Sequence, residues 1–271
     1  MATTRQVALV TGASSGIGKA AALALVAAGF TVVGTSRDTS RVAPSGGVTF
    51  LDLDVTSTES VTTVVQQVIE QSGRIDVLVN NAGLGAAGAA EESSLAQDQR
   101  LFDVNVFGLI RMTKAVLPRM RAQGGGRIIN ISSVLGFLPA PYMASYAASK
   151  HAIEGYSESL DHEVREHDVR VLLVQPAYTN TEFEANSLRA DSPLPVYAQQ
   201  RHIFDDMMAA AIKDGDDPAI VAKAVVSAAT DPKPKLRYTA GPTAGRVSTL
   251  RRIIPARSFD KQIRKLNRLA G

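Results

Sequence analysis

A chain of 271 residues with 45% hydrophobic and 20% charged residues is long enough for one large core, and burial of roughly three quarters of the unfolded surface is expected at that size. It contains no cysteine, which excludes disulfides, thiolate nucleophiles and sulfur-ligated metals and fits a reducing compartment. Net charge is only +3, yet from Gly241 onward Arg246, Arg251, Arg252, Arg257, Lys261, Arg264, Lys265 and Arg268 stand against Asp260 alone, so the body is slightly acidic.

The opening Met1-Ala2-Thr3-Thr4-Arg5-Gln6 runs straight into an apolar stretch at 7–10 without the parts of a secretory signal, so a cytoplasmic location is expected. Short β-branched or aliphatic runs follow at 31–35, 48–53, 75–79, 127–131 and 169–174. Each is succeeded by a longer segment, and 19–28, 59–71, 95–121 and 143–166 have helical length and periodicity. That alternation predicts an α/β fold: a parallel, doubly wound sheet with buried strands. The most apolar run, 20–30, is shorter than the ~20 residues of a membrane-spanning helix, and Gly29 reads as its stop. Pro176, Pro193 and Pro195 mark an irregular insertion before a helix start at Asp217-Pro218. One domain over 1–271 is expected, with a lid at about 177–215 and a basic extension at about 242–271.

Four local patterns carry chemistry. The first strand runs into Thr11-Gly12-Ala13-Ser14-Ser15-Gly16-Ile17-Gly18 and a helix begins there. Glycines at that place let the backbone turn tightly, approach a pyrophosphate and aim helix N-terminal amides at its charge. Asn80-Asn81-Ala82-Gly83 follows the fourth strand, and Ile131-Ser132-Ser133-Val134 ends the fifth. Tyr146 and Lys150 stand four residues apart in a helical stretch, which sets an ammonium beside a phenol on one helix face. A neighbouring positive charge favours the phenolate, so the pair is suited to acid/base work near neutral pH.

In this order the T-G-x-x-x-G-x-G loop, N-N-A-G, a helical asparagine at Asn105, Ser133 and Y-x-x-x-K resemble the short-chain dehydrogenase/reductase family over about residues 6–181. The hydrophobic lid and long C-terminus are similar to its hydroxysteroid/retinol dehydrogenase-like branch. The resemblance implies a single-domain Rossmann-type sheet with helices on both faces, and hydride transfer between a nicotinamide and a carbonyl/alcohol pair. It assigns Tyr146 as proton donor, Ser133 as its partner on the substrate oxygen, Lys150 as holder of the nicotinamide ribose and tuner of the phenol, and Asn105 as seat of a relay water. Cofactor contacts are implied for Gly12, Ser14, Ser15, Gly16, Ile17 and Gly18, for Ser36 and Arg37, and for Asp54 and Val55. They are also implied for Asn81, Ala82 and Gly83, for Tyr146 and Lys150, and for Pro176, Thr179 and Thr181. Asp54 is read either as the residue facing the adenine or as a cap of the helix near Glu59. Pro176-Ala177-Tyr178-Thr179-Asn180-Thr181 departs from the family's P-G-x-V-x-T by alanine for glycine and threonine for valine.

Ser36-Arg37 at the end of the second strand suits a 2′-phosphate, whereas an NAD site usually places a carboxylate there. NADP(H) is therefore expected as the preferred cofactor and NAD(H) as a possible one, with Asp38 next door. No metal is expected. The substrate side is expected at 84–86, 135–142 and 183–208, where Phe183, Leu188, Tyr197, Ile203, Phe204, Met207 and Met208 stand among charged residues. A hydrophobic ketone or secondary alcohol fits those edges. From Ser258 as a possible cap, Phe259, Ile263, Leu266 and Leu269 fall on one helical face, which reads as a helix packed on the body or a subunit interface before a peripheral membrane helix. A homo-oligomer, dimer or tetramer, is implied by the resemblance, and no nucleic-acid partner is expected. The rival function is a nucleotide-sensing or scaffold protein on the same fold without turnover.

Overall fold

The computed structural model describes residues 5–44, 46–184 and 186–269. Met1–Thr4, on which the reading of the N-terminus partly rests, lie outside the described residues, as do Ala185 in the lid and the last two residues of the tail.

Seven strands form one parallel sheet: β1 (Val7–Val10), β2 (Thr31–Ser36), β3 (Val48–Asp52), β4 (Val77–Asn80), β6 (Gly126–Ile131), β7 (Val169–Pro176) and β9 (Arg237–Ala240), in the order β3-β2-β1-β4-β6-β7-β9. Two short strands, β5 (Ala86–Ala87) and β8 (Leu188–Arg189), pair with each other outside it. Alternate residues of a strand face opposite sides, so Ala8 and Val10 of β1 join one core and Val7 and Leu9 join the other. The first core is closed by α1 (Gly16–Ala27) and α7 (Pro218–Thr230); the second by α2 (Thr58–Ser72), α4 (Leu109–Ala122) and α5 (Ala144–Val164). Burial on both faces explains why the strands are near-continuous apolar runs.

The order reverses between β1 and β4, whose carboxyl ends diverge into the glycine loop and the 80–83 turn. Such a switch point opens a crevice for ligands. Asn80 spans it from below: its Nδ2 donates to Asn130 Oδ1 (2.9 Å), and Asn130 Nδ2 donates to Ser157 Oγ (2.8 Å), tying β4 through β6 to α5.

Three elements differ from the sequence reading. The helix expected over 95–121 is α3 (Leu95–Phe102), a π-helical turn (Asp103–Gly108) and then α4. The extra residue of the wider turn lies where the Asn105 side chain is drawn onto the backbone of Leu84. The seventh strand, β9, extends the sheet beyond β7. In the tail, α8 (Pro242–Ile253) is followed by α9 (Ala256–Leu266), which starts after Pro255 and not at Ser258. Phe259 and Ile263 are half-buried, with the Arg251 guanidinium 4.7 Å from the Phe259 ring centroid, whereas Leu266 is exposed. No helix among the described residues is long and apolar enough to cross a membrane.

Candidate active site

At the carboxyl end of β1 the chain turns through Gly12, with φ +64°, and Gly16, with φ +53°, into α1. A side chain at Gly18 would put its Cβ 2.1 Å from Gly12 O and 2.4 Å from Asn81 Nδ2, so the helix start lies directly on the loop. Asn81 fixes that loop: its Nδ2 donates to Thr11 O (2.9 Å) and Gly12 O (3.0 Å), while the amides of Asn81 and Ala82 donate to Thr11 Oγ1. Ser15 occupies the cap position of α1 without a side-chain cap bond, so its hydroxyl leaves the first helical amides to a ligand. Thr181 comes over the loop from the other side, its Cγ2 3.4 Å from where a Gly16 Cβ would be. A turn through two glycines of positive φ into a helix N-terminus, where no side chain fits at Gly18, fits a dinucleotide pyrophosphate.

The residues expected on the adenosine side lie at and just beyond the ends of β2 and β3. Arg37 is exposed there. The carboxylate of Asp38 is turned away from it, accepting from Ser40 N (3.1 Å) and Ser40 Oγ (2.5 Å) and pairing with Arg41 (2.9 Å). Asp54 does not cap α2; Ser57 does, accepting from Ser60 N at 3.2 Å. Asp54 Oδ1 instead accepts from Thr56 Oγ1 (2.7 Å) and Thr56 N (2.9 Å). Those two bonds hold its carboxyl below the usual range, with Arg37 and Arg111 adding to the effect against some desolvation. Val55 is a core residue: its side chain packs under Gly108, and its carbonyl accepts from Arg111 (3.3 Å). Ile17 also packs against the sheet core.

Ser133, Tyr146, Lys150 and Asn105 are all buried. Ser133 follows β6, and its Oγ accepts from Leu135 N (3.1 Å), which aims the short turn Val134–Gly136 toward α5. Tyr146 and Lys150 rise from the first turns of α5. Lys150 Nζ donates to Ile131 O (2.9 Å) and stands 5.6 Å from the centroid of the Tyr146 ring. Asn105 is committed to protein groups: Oδ1 accepts from Leu84 N (2.7 Å), and Nδ2 donates to Leu84 O (2.9 Å) and Ser149 Oγ (3.2 Å). Ser149 Oγ in turn donates to Tyr146 O (2.7 Å), so Asn105 braces the helix that carries the phenol. Sequence reasoning missed Ser149; its place one residue before the lysine was the available signal.

The electrostatics reverse one expectation. Burial pushes the Tyr146 phenol well above its ordinary value, and the Glu184 carboxylate pushes it the same way. Burial lowers the Lys150 ammonium to about 8, against the pull of Glu154. Reading a phenol beside a cation as an acidified phenol omits the desolvation that both groups suffer, and here desolvation is the larger effect. Glu154 was also missed: buried one turn beyond Lys150, it accepts from Gln175 Nε2 (2.9 Å) and Arg237 Nε (2.9 Å).

The three expected substrate edges converge. Tyr146 shares one apolar cluster with Ala86, Ala87, Leu101, Met143, Phe204 and Met208, flanked by Leu84, Leu135, Tyr142 and Leu188. Phe204 and Met208 come from α6 (Ala198–Lys213). Phe183, partly exposed, places its ring 5.9 Å from that of Tyr146. Ile203 and Met207 are half-buried outside the cluster, and Tyr197 contacts it edge-on through Tyr142. The lid is pinned by Glu92, fully buried, which accepts from Ala89 N and Leu194 N and binds Arg201. Thr179 is held by a bridge to Asp216, and Pro176 ends β7. Among the described residues no group of three or more metal-ligating side chains comes together.

Comparisons with known proteins agree with this geometry. The chain is similar to a 3-ketodihydrosphingosine reductase of Bacteroides thetaiotaomicron, 48% identical over 181 residues, or 67% of this chain and 66% of that protein, so it spans just under two thirds of that relative's length. It is 36% identical over 257 residues to retinol dehydrogenase 8 of Homo sapiens, 88% of this chain and 82% of that one. A solved short-chain dehydrogenase from Streptomyces avermitilis is 36% identical and superposes over 99% of both chains with a TM-score of 0.83. Among cofactor complexes, a relative from Burkholderia phymatum with NAD is 26% identical (TM-score 0.81, 97% and 96% covered), and one from Burkholderia cenocepacia with NADP is 25% identical (TM-score 0.77, 97% and 99% covered). The short chain dehydrogenase pattern itself matches residues 6–192, more than half of the sequence, and the protein belongs to the short-chain dehydrogenase/reductase family as an NAD(P)-dependent dehydrogenase or reductase.

Proposed function

We propose that this protein is a carbonyl reductase of the cytoplasm that prefers NADP(H), accepts NAD(H) less well, and acts on a hydrophobic ketone or, in reverse, the matching secondary alcohol. The observation that carries the reading is that Tyr146 lies in an apolar cluster drawn from separate segments, with Lys150 Nζ 5.6 Å from its ring centroid and bonded to Ile131 O, two residues before the buried Ser133. A nicotinamide, when bound, supplies the hydride. Tyr146, kept protonated at neutral pH by its burial, donates its proton to the oxygen of the reacting carbonyl, and Ser133 Oγ hydrogen-bonds the same oxygen. Lys150 holds the ribose hydroxyls and stays largely charged at neutral pH. Asn105 keeps α5 in register through Ser149. Contacts to the cofactor come from the glycine loop, with Ser14, Ser15 and Ile17, from Ala82, Gly83 and Asn81, and from the segment from Pro176 through Thr179 to Thr181.

The NADP(H) preference is supported by Ser36 and by Arg37, which faces no neighbouring carboxylate from Asp38 because that group is engaged by Ser40 and Arg41. The names of the two relatives, a reductase and a dehydrogenase, support the carbonyl/alcohol pair. The whole chain works as one domain, with the lid over about 177–215 and the basic extension from about 242. Leu95 and Phe107, 72% and 51% exposed on the α3 side, support a homo-oligomer assembled through that face, which the particle mass in solution checks.

A screen of NADPH and NADH oxidation against aliphatic, aromatic, steroid and sugar carbonyls tests the reading, with Tyr146→Phe as control. The expected outcome is turnover of an apolar ketone, a higher kcat/KM with NADPH, and a loss of at least ~100-fold in Tyr146→Phe. Activity untouched by that substitution would refute the role given to Tyr146, and no turnover beside tight nucleotide binding would favour the sensing or scaffold role instead.

A further inference from the structure

The lid segment beside Tyr146 carries one half-buried acid that hydride transfer does not use. Glu184 directly follows Phe183, whose ring faces that of Tyr146. The segment is held in place because Ser187 and Phe183 close on Gly85, where an added Cβ would lie 2.0 Å from Ser187 Oγ and 3.0 Å from Phe183 Cε1. The Glu184 side chain is only 15% exposed. Its Oε1 is shut off from solvent and makes no hydrogen bond, although Arg189 Nη2 lies 3.2 Å away, a separation that suits an ion pair but lacks hydrogen-bond geometry.

Arg189 is shared. Its Nη1 donates to Asp205 Oδ1 on α6 at 2.5 Å, so one guanidinium faces two carboxylates and the trio keeps a net charge of −1 if both acids are ionised. Burial pushes the Glu184 carboxyl up, with Asp205 pushing the same way and Arg189 and Ser187 opposing. The field of Glu184 also reaches the reacting phenol: after burial, it is the other cause that raises Tyr146, and it acts likewise on Tyr178. A buried carboxylate oxygen without a donor is costly, and a hydrocarbon substrate beside Tyr146 would leave it bare. A substrate that brings a charged donor supplies both the missing hydrogen bond and the missing counter-charge.

We propose that Glu184 is a specificity-determining residue that selects substrates with a protonated amine close to the reacting carbonyl: an amino ketone or, in reverse, an amino alcohol. The rest of such a molecule is apolar, lying against Leu84, Leu135, Phe204 and Met208. The inference rests on the carbonyl-reductase reading and narrows its substrate class. Closeness of the two groups follows from position, because Glu184 is the residue next to Phe183, whose ring centroid lies 5.9 Å from that of the phenol that protonates the carbonyl oxygen.

The test compares three linear aliphatic ketones of one chain length: one with an amine on the carbon next to the carbonyl, one with a hydroxyl there and one with hydrogen. Each is assayed with the intact chain, with Glu184→Gln and with Glu184→Asp, using saturating NADPH. Expected is a kcat/KM for the amino ketone at least ~30-fold above the unsubstituted one, in line with one buried charge-assisted bond. Glu184→Gln should remove most of that preference and change the unsubstituted ketone less than ~3-fold, while Glu184→Asp keeps part of it. No amine preference in the intact chain, a stronger preference for the hydroxyl compound, or an equal loss for all three ketones in Glu184→Gln would overturn the proposal; the last would mark Glu184 as a brace for Arg189. Turnover of the unsubstituted ketone that depends on Tyr146 would keep the reductase reading standing in each case. If none of the three turns over, calorimetric binding of the amino alcohol decides: binding to the intact chain lost in Glu184→Gln supports the proposal, and equal binding overturns it.

Discussion

The two ends of the active-site crevice are built by different means. At the glycine loop the determinants are backbone: Thr11 and Gly12 are clasped by Asn81, Gly18 admits no side chain, and positive φ at Gly12 and Gly16 sets the turn. Under the lid they are side chains from distant segments: Phe204 and Met208 from α6, Leu84 from the β4 turn and Leu135 from the β6 turn. The first end leaves few ways to vary and accepts the part of the reactants that is constant. The second is assembled from residues as far apart in the chain as Leu84 and Met208 and can change shape by substitution, which suits the part that differs between substrates.

The largest expected effect breaks the backbone end. In Gly18→Ala the new Cβ would meet Gly12 O at 2.1 Å and Asn81 Nδ2 at 2.4 Å, so the start of α1 must move off the loop that it supports. NADPH affinity should fall at least ~100-fold, about 3 kcal/mol, and thermal stability should fall with it. Titration calorimetry reads the first and a melting curve the second; a Kd within threefold of the unaltered chain would show that the cradle is not what binds.

That end was legible in the sequence because its determinants are local. Spacing of glycines, the Asn80-Asn81 pair and Tyr146-x-x-x-Lys150 are all read within a few residues, and the strands expected from apolar runs agree with those observed to within two residues. What was not legible depends on distant partners. Strand β9 is four residues beside Pro234 and Lys235, without apolar alternation, and it is recruited by pairing with β7 and by Arg237 bonding Glu154 and Glu158. The π turn at Asn105 answers a pull from Leu84, twenty-one residues away. The direction of the Tyr146 shift follows from burial, and Glu184 looked like one more charge in a mixed lid.

Lys150 lies at the seam between the two ends, and its titration gives opposite signs in two measurements. Its folded value of about 8 lies below the 10.5 of an exposed lysine. Below pH 8 both folded and unfolded chains carry the proton, and the cost of burying the charge is fully present. From pH 8 upward the folded chain releases it first, so stability should rise with pH, by about 2 kcal/mol between 8 and 10. Above 10 the raised tyrosines, Tyr146 among them, bind protons more tightly in the folded chain and turn the trend downward. Reduction should move the other way, with kcat/KM falling across pH 8 as the ammonium proposed to hold the ribose is lost. Urea unfolding at pH 7 to 10, compared with Lys150→Met, isolates the stability slope; the same slope in both chains would assign it to other groups.

The smallest effect on the whole molecule belongs to the lid, and it sharpens the contrast most. Phe204 is as buried as many core residues, at 7% exposure, yet it belongs to a smaller cluster of lid and loop residues with Leu101 of α3 and Tyr146 of α5, separate from the two cores that sandwich the sheet. Truncating a side chain such as Leu172, fully buried in the sheet, removes contacts that close only on global folding and costs about 2–5 kcal/mol. Phe204→Ala removes contacts that can open while the sheet stays intact, so global stability should fall by less than ~1.5 kcal/mol. Its effect should appear in substrate handling: KM for an apolar ketone higher by about 5–10-fold, with NADPH affinity unchanged. Chemical denaturation of the two variants beside one kinetic and one cofactor titration is enough. A Phe204→Ala loss of stability equal to that of Leu172→Ala would make the lid part of the cooperative core, and substrate choice would then have to be tuned against folding itself.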